Sequence, residues 1–115
     1  MTRKHPQSRQ RASERIEALK KRIGALDLLC SGTLLERTMR CGKPACRCAK
    51  DPKHRHGPYW EWGRMQRGKL VHRLVSPEQA RFLRGAIANY RAVRKLLRTW
   101  EAQTLKIMEA QEDRN

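Results

Sequence analysis

Apolar residues along this chain fall into two helix-like stripes, with a stretch of strand-like alternation between them. Ile16, Leu19, Ile23, Leu26 and Cys30 recur at alternating steps of three and four, which draws one apolar stripe on a helix. The spacing predicts a helix over Ser13–Leu29, with Ser13 as N-cap, Glu14 in the first turn and Ser31-Gly32 as the stop. Cys30 continues the stripe and reads as a buried thiol. Leu83, Ala86, Tyr90, Val93, Leu97 and Trp100 draw the second stripe. It follows Ser76-Pro77-Glu78-Gln79, a start with a Ser cap, Pro in the first turn and Gln placed to close a capping box. This helix is expected to reach about Ala110. Some 34 residues would span about 50 Å at 1.5 Å per residue, more than a small domain can cover. Its tail is a candidate homodimer seam, or else a free end.

Between the stripes the period changes to two. Thr33–Arg40 alternates weakly and reads as a short strand. Tyr59–Met65 places Trp60 and Trp62 on one face, and Lys69–Val75 pairs back through a turn at Gln66, Arg67 and Gly68. The two tryptophans read as core in preference to a base-stacking platform, and His72 as a hydrogen-bonded structural residue. The expected fold class is α+β: a three-stranded antiparallel sheet with a Cys/His zinc loop, flanked by an N-terminal helix and a long C-terminal helix. The expected organisation is a disordered basic arm over 1–12 and a single domain over 13–115, with the loop at 41–58.

Charge changes the picture of what this fold does. The 115 residues hold 27 Lys and Arg against 11 Asp and Glu, a formal net charge of +16. Such an excess repels itself in a compact state and is offset most simply by a polyanion, because cations that neutralise phosphates release condensed counterions. Residues 1–22 carry eight basic against two acidic residues, 23–75 eleven against four, and 76–115 eight against five. The excess therefore lies on the N-terminal arm, including Arg9 and Arg11, and around the loop. The acidic end of the last helix, with Glu101, Glu109, Glu112 and Asp113, is the least suited to phosphates. Arg84, Arg91 and Arg98 recur every seven residues beside Arg81 and Lys95, as a phosphate-tracking ridge or an ordinary solvated face. No apolar run approaches a membrane span and the N-terminus lacks the apolar core of a secretory signal, so the expected compartment is the cytoplasm, with reduced cysteines.

The loop Cys41–Pro58 has no hydrophobic period and holds the candidate chemistry. Zinc takes four tetrahedral thiolate or imidazole ligands. Cys41, Cys46 and Cys48 supply three within eight residues, and Gly42 and Pro44 allow the turn between them. A histidine completes the set. His56 is preferred to His54, because Gly57-Pro58 fixes the chain directly after it. The spacing is not the paired C-x2-C arrangement, and three free thiols beside an unrelated histidine, or a redox thiol, are the competing readings. Four protein ligands leave no open coordination position, and no paired carboxylates or phosphate loop are present, so the chain is not expected to be an enzyme. A bound Zn2+ would present Lys43, Arg47, Lys50, Lys53 and Arg55 as one preorganised basic surface. The expected partner is a nucleic acid, DNA or RNA. The alternative is a protein-interaction adaptor acting through the helix stripes, with charge serving solubility.

The run Gly32-Thr-Leu-Leu-Glu-Arg37, then Cys41-Gly-Lys-Pro-Ala-Cys46-Arg-Cys48, His56-Gly-Pro-Tyr59, Gly68-Lys69 and Ser76-Pro77, resembles an uncharacterised prokaryotic domain family of small basic proteins. Its signature is CGKPxCxC followed by HGPY, and its members are loosely associated with mobile elements. The resemblance spans roughly residues 30 to 100. It implies that Cys41, Cys46, Cys48 and His56 act as a linked set, and it implies no activity.

Overall fold

The computed structural model describes residues 6–111. Arg3 and Lys4 of the basic arm, and Glu112 and Asp113 of the acidic end, lie outside them. In chain order the elements are α1 (Pro6–Gly24), β1 (Thr33–Met39), β2 (His56–Gln66), β3 (Lys69–Val75) and α2 (Pro77–Glu109). Two short 3-10 turns, Arg47–Ala49 and Pro52–His54, lie between β1 and β2. The expected α+β class, with three antiparallel strands in the order β1-β2-β3 between two helices, is what the chain forms.

The first helix differs from its expected bounds at both ends. It begins at Pro6, so residues 6–12 are helical and the disordered arm expected over 1–12 does not extend through them. Pro is well suited to a first helical turn, and Gln and Arg are good helix formers whatever their charge. Ala12, 1% exposed, extends the stripe of Ile16, Leu19 and Ile23 by one more step of four. Ser13 is therefore an interior position and not the cap. The helix stops at Gly24, five residues short of Leu29. Beyond it the Asn89 amide donates to the Leu28 carbonyl at 3.0 Å and to the Asp27 carboxylate at 3.1 Å. Asp27 also accepts from the Leu28 amide at 2.7 Å. These side-chain bonds occupy polar groups that a longer helix would have paired internally.

The described part of residues 13–115, expected as one domain, falls into two compact units. The described residues of the first are 6–28 and 89–111; the second is 29–88. In the first, Ala12, Leu19, Leu96 and Gln103 are buried, and the Lys20 ammonium stands 5.9 Å from the centre of the Trp100 ring. The buried stripe of α2 passes through Leu96 and not the expected Leu97, which is 46% exposed.

In the second unit the hairpin turn holds Arg67 at φ 51° and Gly68 at φ 79°. Two successive left-handed residues match the twist of the flanking strands, and glycine takes that conformation without a Cβ clash. Register puts Leu34, Trp60, Trp62, Arg64, Val71, Arg73 and Val75 on one sheet face. Leu35, Arg37, Glu61, His72 and Leu74 lie on the other. There Glu61 accepts from Arg37 at 3.2 Å and pairs with His72 Nδ1 at 2.9 Å, so His72 is tied structurally as expected. Trp60 and Trp62 are half-buried. Each has a guanidinium over its ring, Arg84 at 5.1 Å and Arg64 at 3.9 Å, and Trp62 donates to the Ser31 carbonyl at 3.0 Å. At the start of α2 the Ser76 amide donates to Gln79 Oε1 at 2.9 Å and the Gln79 amide to Ser76 Oγ at 3.1 Å, a closed capping box. Ala80, Leu83, Ala86 and Ile87 form the buried side of this end of the helix, and the Ala86 carbonyl accepts from the Cys30 amide at 3.1 Å. Cys30 is half-buried, not fully buried as expected.

Candidate metal centre

The segment between β1 and β2 has almost no apolar side chains, so local turns and polar groups set its course. Gly42 at φ 83° turns the chain after Cys41, and the Cys46 amide then donates to the Lys43 carbonyl at 3.1 Å. The 3-10 turn after Cys46 folds Cys48 back, so that the Cys41 amide donates to Cys48 Sγ at 3.3 Å. Asp51 caps the next turn by accepting from the Lys53 amide at 2.9 Å. His56 opens β2, and the Gly57-Pro58 peptide after it is cis. Gly57 has φ 113°, and a Cβ there would stand 2.9 Å from the Tyr59 nitrogen and 3.0 Å from the Arg37 carbonyl. Only glycine fits where β2 closes against β1 beside the histidine.

These turns converge four side chains. The ligand atoms of Cys41, Cys46, Cys48 and His56 all lie within 4.8 Å of one another. Cys48 Sγ is 3.5 Å from Cys41 Sγ, and Cys46 Sγ is 3.2 Å from His56 Nε2. A tetrahedral zinc with bonds of about 2.3 Å to sulfur and about 2.0–2.1 Å to nitrogen separates its ligand atoms by about 3.5–3.8 Å. The two shortest separations are already near that spacing. All four cysteines of the chain are free thiols. Cys48 is fully buried and Cys46 half-buried, while Cys41 reaches solvent. His54 lies apart from the group, its Nε2 3.4 Å from the Asp51 carboxylate. The group offers three sulfurs and one imidazole nitrogen and can hold a metal ion.

Thiol electrostatics differ within the cluster. The Cys46 thiol is pulled down from 9.0 to about 6, first by the Cys48 backbone amide and then by His56 and the neighbouring thiols. The Cys41 amide acts the same way on Cys48, but burial and the adjacent Cys46 and Cys41 outweigh it and push that thiol up. A ready thiolate at Cys46 beside a thiol at Cys48 that holds its proton suits metal capture, in which binding releases that proton.

The basic residues expected to meet phosphates divide between the units. Lys43, Arg47, Lys50 and Lys53 are exposed on the loop. Arg55 is half-buried, with its Nε enclosed and without a partner among the described residues, so it is a weaker contact than expected. Arg9 and Arg11 are exposed on α1, in the first unit. Sequence reasoning passed over a cavity of about 340 Å³ in the second unit, lined by Trp62, Arg73 and Phe82 among others. Its one sequence signal was Phe82, a large aromatic off the α2 stripe and 58% exposed.

The fold and this Cys3His group define an α+β protein with a preformed candidate metal centre between the first two strands. Residues 9–84 match the family described as a domain of unknown function, DUF6788, and the chain belongs to that family. The match takes in the whole sheet and all four candidate ligands. No curated protein and no solved structure is significantly similar to the chain. Among the described residues, no helix is long and apolar enough to cross a membrane.

Proposed function

We propose that this protein is a zinc-stabilised, non-catalytic nucleic-acid-binding protein of the cytoplasm, accessory to a mobile element. The observation that carries the reading is the convergence of Cys41, Cys46, Cys48 and His56 in a loop that exposes Lys43, Arg47, Lys50 and Lys53. The sulfur-rich donor set favours zinc over hard, oxygen-seeking ions. A four-ligand site serves folding, because metal-binding free energy becomes folding free energy in a segment that lacks its own core. The stapled loop then holds its cations in place for phosphates, with Arg9 and Arg11 on α1 adding to the contact. Phosphate contact alone positions a nucleic acid without reading its sequence.

Two measurements test this. Purified protein should hold about one equivalent of zinc; less than about half an equivalent removes the staple. Binding to random nucleic acid should weaken steeply with salt, and a flat response removes the phosphate contact. A second reading, an adaptor or homodimer working through α2, is favoured by Leu97, Leu105 and Met108, which are 46%, 53% and 58% exposed. Sedimentation distinguishes it: a concentration-dependent dimer with no affinity for nucleic acid at low salt selects the second reading.

A further inference from the structure

The cavity of the second unit is built differently from the basic loop. It lies between the sheet face that carries Trp62, Arg73 and Val75 and the first turns of α2, which supply Glu78, Gln79 and Phe82. Its volume of about 340 Å³ lies at the small end of the ligand-site range, about 300–1,000 Å³. The walls are mostly apolar and include two aromatic rings. Phe82 is 58% exposed, a large apolar surface left open at the cavity.

The polar groups around it are selective. Arg64 holds its guanidinium 3.9 Å from the centre of the Trp62 ring, and Arg73 pairs with Trp62 across the strands. Arg64 and Arg73 thus stand beside the Trp62 wall, within a unit that carries thirteen Lys and Arg against four Asp and Glu over residues 29–88. Inside this basic surface sits a carboxylate, Glu78, with no ion pair or hydrogen bond among the described residues. Gln79 spends its Oε1 on the Ser76 amide, which leaves its NH2 group to donate.

Resting on the nucleic-acid reading above, we propose that this cavity takes one unpaired base of a single-stranded nucleic acid. The base stacks against Phe82 and Trp62, its exocyclic amine donates to Glu78, and Arg64 and Arg73 take the adjoining phosphates. Aromatic walls suit any base, because every base has a π-face. A duplex keeps its bases stacked and cannot fill the cavity. The carboxylate adds a choice: adenine, cytosine and guanine carry an amine that can donate to it, whereas thymine and uracil carry carbonyl acceptors there. An apolar peptide side chain would use the walls but would leave the flanking cations and Glu78 without partners.

The test uses the full chain with its metal bound and labelled 12-mers in fluorescence anisotropy at fixed salt. The probes are alternating C and A, all T, and a mixed-sequence duplex, the single strands as both DNA and RNA, with dCMP as a competitor. The C/A single strand is expected to bind more tightly than either all T or the duplex. Phe82→Ala should weaken single-strand binding about tenfold and leave duplex binding unchanged. Phe82→Trp should retain single-strand binding, and Glu78→Gln should narrow the gap between C/A and T. If Phe82→Ala and Glu78→Gln bind single strands as the parent does, the base site is wrong while the phosphate reading stands. Competition by dCMP as strong as that of a 12-mer makes the cavity a nucleotide site and overturns the single-strand proposal. An absence of binding to every probe overturns the nucleic-acid reading itself.

Discussion

Replacing His56 by alanine isolates what the metal does for this fold. The three thiols remain, so an ion can still be held at the first part of the loop. What is lost is closure of the nine-residue segment from Cys48 to His56, which ties the loop to the start of β2. Treating the metal as a cross-link, closing nine residues removes about 2.6 kcal/mol of chain entropy from the unfolded state. For a domain of this size each kcal/mol moves the melting temperature by about 4–8 °C, so the variant should melt about 10–20 °C below the parent when zinc is present. The assay is a thermal melt of both proteins with one equivalent of zinc and again in excess chelator. In chelator the two should nearly coincide, because the difference depends on the ion. The reasoning fails if His56→Ala melts within about 3 °C of the parent in zinc, or if the same gap persists in chelator. The second outcome would assign the histidine a packing role at the strand start.

Other outcomes follow from the same geometry. In metal-free protein, Cys46 should react with iodoacetamide as a thiolate that forms as pH rises through about 6, and Cys48 should resist at neutral pH. Site-resolved mass spectrometry against pH reads both, and equal modification of the two would contradict the assigned hydrogen bonds. Replacing Lys43, Arg47, Lys50 and Lys53 together with alanine should lower the slope of log affinity against log salt by about 3–4, and Arg9→Ala with Arg11→Ala by about 2. An unchanged slope in the first set excludes the loop as the phosphate surface. Gly57→Ala should destabilise the sheet by at least about 1 kcal/mol, because the new Cβ meets backbone at 2.9 and 3.0 Å with φ at 113°. Chemical denaturation with an unchanged midpoint would refute it. Gln103 is 7% exposed and its Oε1 lacks a partner among the described residues, so Gln103→Met should raise stability by about 1 kcal/mol or more. A lower melting temperature would refute it.

Local chemistry read correctly where neighbours in sequence set the structure. The Ser76 cap, Pro77 and Gln79 act within one helical turn, so the start of α2 was legible to the residue. The hairpin was legible because a short turn at Arg67 and Gly68 forces β3 back along β2. Three thiols within eight residues, followed by a histidine ahead of Gly57-Pro58, pointed to a clustered site, and those side chains do converge. The start of the first helix was not legible, because a cluster of positive charge fits a disordered arm as well as a helix. Arginine and glutamine favour helix, and Ala12 is too small to stand out in a hydrophobic pattern. Its end falls at Gly24, short of the end of the apolar stripe, and the Asn89 amide that holds the Leu28 carbonyl beyond it comes from 61 residues away.

By itself the sequence determined the element types, the pairing of the last two strands, the grouping of three cysteines with a histidine and the excess of positive charge, because each depends on spacing within a few residues or on composition. Only the tertiary structure decided three further features. It set His54 against Asp51 and His56 against Cys46, a choice made by the direction in which the two turns close. It moved the buried line of α2 from Leu97 to Leu96, since the two positions are equally apolar and only a packed neighbour distinguishes them. And it set Phe82 across a cavity from Trp62, two aromatics twenty residues apart that meet only when the sheet packs on the helix.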